Sequence, residues 1–308
     1  MSKKNKHWQE REAIKDNIKR DKELTKEINK RLDVLMKDIE TEINRELQAY
    51  AKGQNIDLEE VYQRINEMDV KAFEKKAKEY VKNKDFSATA NYELKIYNRR
   101  MRINRLEWIK SMLGIELVNG FDDIEKILDE YFKDSAKREM MKQAGILGDT
   151  VMSNYSEVIE KVVNGSFHNA TFSKRIWQYQ EELKAELDKL LSRQMVNGHN
   201  PRRVARDLRK EFDVTKFESE RMMRTESARI QGELQKSSYE RFEVKEYEWV
   251  TEPTACSVCK DIARGGRYKV KDMEIGINMI PAHPDCRCST VPVSDREEML
   301  KDFERRGL

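Results

Sequence analysis

All four cysteines of this 308-residue chain fall between residues 256 and 288. They stand as Cys256-Ser-Val-Cys259 and Cys286-Arg-Cys288, and the second pair is introduced by His283-Pro-Asp. Two cysteines with two residues between them can reach one metal ion from a tight turn. In Cys-Arg-Cys the side chains at i and i+2 point the same way where the backbone is extended. The result is four thiolates, with the His283 imidazole as a fifth candidate, around one tetrahedral Zn²⁺. A tetrahedral structural site closes at four donors, so one of Cys256, Cys259, Cys286, Cys288 and His283 is surplus. The four sulfurs are the favoured set, with His283 as a substitute or as a hydrogen bonder behind the ligands. The expected cofactor is therefore Zn²⁺ in a structural role.

Other uses of these residues fit less well. Four cysteines can make two disulfides in any of three connectivities. The N-terminus, Met1-Ser-Lys-Lys-Asn-Lys-His-Trp, leads into charged residues without the apolar stretch of a secretory signal. A reducing compartment and free thiols are expected. Zinc deaminase chemistry needs a His-x-Glu upstream of the Cys-x-x-Cys, and the sequence has none. A thioredoxin-type pair would want a βαβ context. His168 and His199 stand alone in predicted loops and read as surface residues. Glu226, within Arg224-Thr225-Glu226, shares an apolar helix face with Met223 and Ile230, so its carboxylate needs a partner, Arg229 or Arg224. It reads as a buried clamp rather than a catalytic acid, because no histidine lies near it in sequence to activate water. No enzymatic activity is expected.

These residues must be carried by a scaffold dominated by helix. Hydrophobic and charged residues each make up 38% of the chain, a balance that suits long amphipathic helices better than a thick core. The net charge of +3 does not by itself announce nucleic-acid binding, and no apolar run of about 18 residues predicts a membrane span. All five prolines lie beyond residue 200, which leaves glycines and Asn-Gly pairs to punctuate the rest. Ile14, Ile18, Leu24, Ile28, Leu32, Leu35, Ile39, Ile43, Leu47 and Tyr50 mark one stripe of a long first helix ended by Gly53. Its other faces carry balanced charge and read as solvated. Asp57 caps a second helix, and others are predicted over 69–84, 87–114, 121–142 and 148–164, with Asp69, Ser87 and Asp122 as caps. Residues 92–110 interleave basic and aromatic side chains. That pattern can hold a phosphate backbone, but helical spacing favours a core-facing stripe with a basic outer face. Shorter helices are predicted over 183–191, 202–212 and 216–242. Period-two alternation then places strands near 246–251, 267–270 and 288–293. The fold class is mostly α, with an elongated N-terminal helical region followed by a small C-terminal α+β zinc-stapled module.

The order of FSKRIW at 172–177, Arg224-Thr225-Glu226, Trp249, Cys256-x-x-Cys259 and Ile280-Pro-Ala-His-Pro-Asp-Cys-Arg-Cys288 resembles the phage Mu F-like head morphogenesis family. The resemblance covers about 166 to 293, with weaker agreement at Trp8-Gln-Glu-Arg11. The sequence departs from it at Ile262-Ala-Arg-Gly-Gly, where many members have a Leu-Asp-Gly-like turn. On this basis the domains are a long-helix region (1–165), the middle helical part of the module (166–245), the small β-containing zinc unit (246–295) and a charged tail (296–308). The resemblance implies a minor head protein of a tailed bacteriophage, bound to the portal inside the capsid after assembly in the host cytoplasm. Such a protein acts in head morphogenesis and in genome packaging or ejection. The implied partners are the portal protein, with scaffold or major capsid protein and viral DNA as further candidates. Some relatives carry a toxin domain after this module, and none is expected here. The alternative is a zinc-containing DNA-binding or DNA-processing protein.

Overall fold

The computed structural model describes residues 3–52, 104–147, 155–197 and 201–293. Among them run the helices α1 (Lys3–Lys52), α2 (Asn104–Leu147), α3 (Tyr155–Val163), α4 (Phe172–Asn197) and α5 (Pro201–Arg241). Strand β1 (Glu246–Val250), helix α6 (Ser257–Arg264), strand β2 (Arg267–Lys269), a 3₁₀ turn over Val270–Asp272 and strand β3 (Ser289–Val293) follow. The chain is mostly helical with a small C-terminal sheet, the class its sequence predicts. The sheet is antiparallel in the order β2-β1-β3, with Tyr247 opposite Tyr268 on one side and Trp249 opposite Thr290 on the other. The predicted strands appear in place. The predicted second helix at Asp57, the helix over 69–84, the part of 87–114 before Asn104, most of the basic stretch 92–110, His199 and the tail 296–308 lie outside the described residues.

Several helices run through positions where the sequence predicts a break. Residues 121–142 belong to one helix with Asn104 onward, and Asp122 lies inside it rather than capping it. Gly120 is there for packing. A Cβ at that position would come within 2.7 Å of Leu35 Cδ2, so glycine lets α1 and α2 approach closely. Residues 202–212 and the stretch from 216 to Arg241 likewise form a single helix, α5. No proline or glycine interrupts Asp213-Val-Thr215, and the Thr215 hydroxyl donates back to the Glu211 carbonyl.

Two compact units emerge, and each is assembled from separated segments. The first comprises Met1–Asn29, Asp123–Trp177 and Phe217–Leu308; the second comprises Lys30–Asp122 and Gln178–Lys216. The described residues of the second unit are helical, with a core that includes Leu32, Ile39, Leu117, Phe121, Leu187 and Phe212, all buried. Lys216 ties α5 to α1 there through Asp33, at 2.6 Å.

The first unit joins the N-terminal turns of α1 to the C-terminal sheet. Phe132 of α2 meets Phe172 of α4 edge-on at 5.1 Å, and the Trp177 indole donates to Glu125 at 2.8 Å. On α1, Lys6, Glu10 and Asp21 are buried, so the charged faces of this helix are not uniformly solvated as the sequence reading has it. Glu10 accepts hydrogen bonds from Lys142 at 2.7 Å and Gln143 at 3.2 Å, and Asp21 accepts from the Tyr131 hydroxyl at 2.7 Å. Burial raises the pKa of both carboxyls, and Lys142 at Glu10 and Tyr131 at Asp21 oppose the rise. Arg20 pairs with Asp134 at 2.6 Å on the same α1–α2 contact.

Candidate metal centre

The structure brings all five sequence-predicted donors into one cluster inside the first unit. Cys256, Cys259 and His283 form one group, and Cys259, Cys286 and Cys288 form another. Within each group the donor atoms lie within 4.8 Å of one another. Cys259 belongs to both. Its sulfur is 3.2 Å from His283 Nε2 and 3.8 Å from the Cys286 sulfur, and Cys256 Sγ is also 3.2 Å from Nε2. None of the four cysteines is in a disulfide.

Local structure explains the placement. The Cys-x-x-Cys occupies the start of a helix instead of the predicted tight turn: Cys256 is the N-cap of α6, and Cys259 lies buried one turn later. Without a full capping hydrogen bond, the Cys256 thiol still feels the Cys259 backbone N–H, and this lowers its pKa. The Cys286-Arg-Cys288 arm enters the sheet at β3 with both sulfurs buried. Between His283 and Cys286 the chain turns through Asp285 at φ 70°, a left-handed conformation that aspartate tolerates.

That turn explains the Arg-Thr-Glu motif. Arg224 Nη1 donates to Asp285 Oδ1 at 3.1 Å, and the Asp285 backbone N–H donates to the Thr225 hydroxyl at 3.1 Å. Glu220, one turn earlier on α5, braces Arg224. Glu226 faces the other way and pairs with Arg229 Nε at 2.7 Å, both side chains being essentially excluded from water. Arg229 Nη1 also donates to the Val162 carbonyl at 2.9 Å, and Nη2 to Val163 at 3.3 Å, so it caps the end of α3. Of the two partners the sequence offers Glu226, the structure selects Arg229. His168 is not among the clustered donors, and its ring lies tilted against Phe167 with centroids 4.1 Å apart.

Gly232 was not singled out by the sequence reading, yet it sets the distance between α5 and the loop leading to His283. A Cβ there would fall 2.3 Å from the Ile280 carbonyl oxygen and 2.9 Å from Ile280 Cγ1. Alanine would favour the helix by roughly 1 kcal/mol over glycine. Overlap with main-chain atoms that cannot move aside should outweigh this gain. Gly232→Ala is expected to destabilise the protein by about 1–3 kcal/mol in urea unfolding, whereas a variant at least as stable as the parent would disprove the close approach.

The donor set fits a metal ion. With a metal–sulfur length of about 2.3 Å, two sulfurs on one tetrahedral Zn²⁺ are about 3.8 Å apart, the Cys259–Cys286 separation. His283 Nδ1 lies 2.7 Å from the Pro284 carbonyl and donates to it, which leaves the Nε2 lone pair facing Cys256 and Cys259. The ring is thus turned into the cluster as a donor rather than standing behind it. Burial lowers the His283 pKa, but the Pro284 carbonyl and the sulfurs of Cys286 and Cys256 outweigh it and raise the value. Hydrogen bonds from Cys259 and Cys288 hold Cys286 at about 2, and the same bonding pushes Cys259 far up. Against the lowering pull of Cys259, Cys286 and burial carry Cys288 to about 12. Thiolates this close together repel one another, and a divalent cation is the species that would let all three ionise.

Every donor lies within the part of the chain that matches a family model. Residues 185–291 match the family model described as Phage Mu protein F like protein. That stretch resembles the family. It runs from α4 through α5 to β3, and so includes the Arg-Thr-Glu motif, Gly232 and all five metal-ligand candidates. No curated protein and no solved structure matches the chain. No described helix is long and apolar enough to cross a membrane.

Proposed function

We propose that this chain is a minor head protein of a tailed bacteriophage, acting in head morphogenesis through attachment to the portal ring. The Mu F-like match over residues 185–291 carries this reading. The location is the virion interior, reached by assembly in the host cytoplasm. One Zn²⁺ holds the C-terminal part together, with Cys259 as the central ligand and the remaining positions drawn from Cys256, His283, Cys286 and Cys288. The zinc polarises no substrate: thiolate-rich, largely buried ligation is the chemistry of a folding staple. Glu226 is engaged by Arg229 as a clamp, and the protein acts without catalysis.

Attachment is tested by co-expression with the portal protein of the same phage. A complex that survives size-exclusion chromatography and nuclease treatment is the expected result. A complex that needs DNA would replace the portal role with a DNA-binding one, recognisable by a steep salt dependence. No association with portal, scaffold or capsid protein at any salt concentration would remove the assembly role.

A further inference from the structure

We infer that the N-terminal turns of α1 form the back wall of the metal centre, so that metal loading and the seating of α1 are coupled. The inference rests on the metal reading above. His7, Glu10, Ile14, Ile18 and Asp21 follow one another at intervals of three and four, which places them on one stripe of the helix. The structure commits that stripe to the zinc unit. His7 Nε2 lies 2.8 Å from Glu248 of β1. Ile14 packs with Val250 of β1 and Val291 of β3, and Ile18 lies against them. Glu10 accepts a 2.7 Å hydrogen bond from the Ser289 hydroxyl, and Asp21 Oδ2 is 3.7 Å from Arg287 Nε.

The residues that meet α1 alternate with the metal donors. Cys286 and Cys288 turn toward the metal cluster, while Arg287, Ser289 and Val291 reach α1. In an extended segment neighbouring side chains point to opposite faces, so one arm serves the ion on one side and α1 on the other. Fixing the sulfurs therefore fixes the register of Arg287 and Ser289. If the arm rotates or frays, Glu10 loses Ser289 and Asp21 loses Arg287 together, and each buried acid is left with its α2 partners alone. Coupling of this kind is reciprocal: whatever factor the metal adds to the docking of α1, docked α1 adds to metal affinity.

The test uses the full chain, with Zn²⁺ as the probe. Hydrogen exchange read by mass spectrometry is compared with and without a chelator, and zinc affinity is measured by competition with a chromophoric chelator. Zinc removal is expected to raise exchange over residues 7–21 at least tenfold, with little change over 30–43. Glu10→Gln and Asp21→Asn keep size and hydrogen-bonding capacity, and are expected to weaken zinc binding by roughly 5–150-fold, the usual size of coupling between two linked sites. Lys15→Ala, exposed on the same helix, should leave the affinity unchanged. Should either variant fail to fold, the exchange comparison on the native chain still decides. Zinc bound at one per chain, with α1 exchange indifferent to it and both variants binding normally, overturns the coupling and leaves the metal reading standing. A chain that binds no zinc overturns both.

Discussion

Cys259→Ser is expected to strip the metal from the protein and unfold the region beyond Trp249. Cys259 is the only donor common to both groups, so its loss leaves the Cys256–His283 pair and the Cys286–Cys288 pair with nothing between them. Zinc in finger-sized units stabilises by roughly 10–16 kcal/mol apparent, more than a three-stranded sheet with one short helix can replace. Elemental analysis should fall from one zinc per chain to none, and proteolysis should cut after β1 while the helices of the second unit persist. Single removal of Cys256, His283, Cys286 or Cys288 leaves four donors including the shared one, and should cost less. A Cys259→Ser protein that retains stoichiometric zinc would show that the cluster is organised around another residue.

The second large effect is at Glu226. Glu226→Leu strands Arg229, a guanidinium with no solvent exposure, with only Glu233 at 3.0 Å and two main-chain carbonyls to hold its charge. Breaking a buried pair from one side costs about 3–5 kcal/mol. Glu226→Gln keeps an oxygen to accept from Arg229 and removes only the charge, so it should cost clearly less. Arg175 Nε stands 3.7 Å from the other Glu226 oxygen and would soften the loss of Arg229 more than the loss of the carboxylate. Thermal unfolding of the two Glu226 variants reads the difference. Equal stability for both, together with the loss of a hydrolytic activity, would instead make Glu226 a catalytic acid.

The metal donors were legible because thiols and imidazole in these spacings have few other uses, and the strands because period-two alternation survives in a short sheet. Helix ends were less legible. An Asn-Gly pair normally ends a helix, but at Asn119-Gly120 the need for contact with Leu35 prevails and α2 continues. The surroundings of the metal were least legible. Glu10, Asp21 and Lys6 sit among other charged residues on a helix that looks solvated, and nothing local distinguishes them from Glu12 or Lys15. The burial of Glu10 and Asp21 depends on partners such as Lys142, Tyr131 and Ser289, each more than a hundred positions away. Gly232 was silent for the same reason: its neighbour is the main chain of Ile280.

The contact between Glu10 and Ser289 spans 279 positions, and this sets the order of events during synthesis. A chain emerging from the ribosome at about 5–20 residues per second exposes the α1 stripe long before its counterpart exists. Ile14, Glu10 and Asp21 must wait, or be shielded, until the last strand arrives. Closing so long a loop makes this contact a late one, which the local helices of the second unit can precede. A fragment limited to residues 185–291 would therefore lack the helix that completes its own core, and is expected to be recovered as an aggregation-prone species even with zinc in the medium.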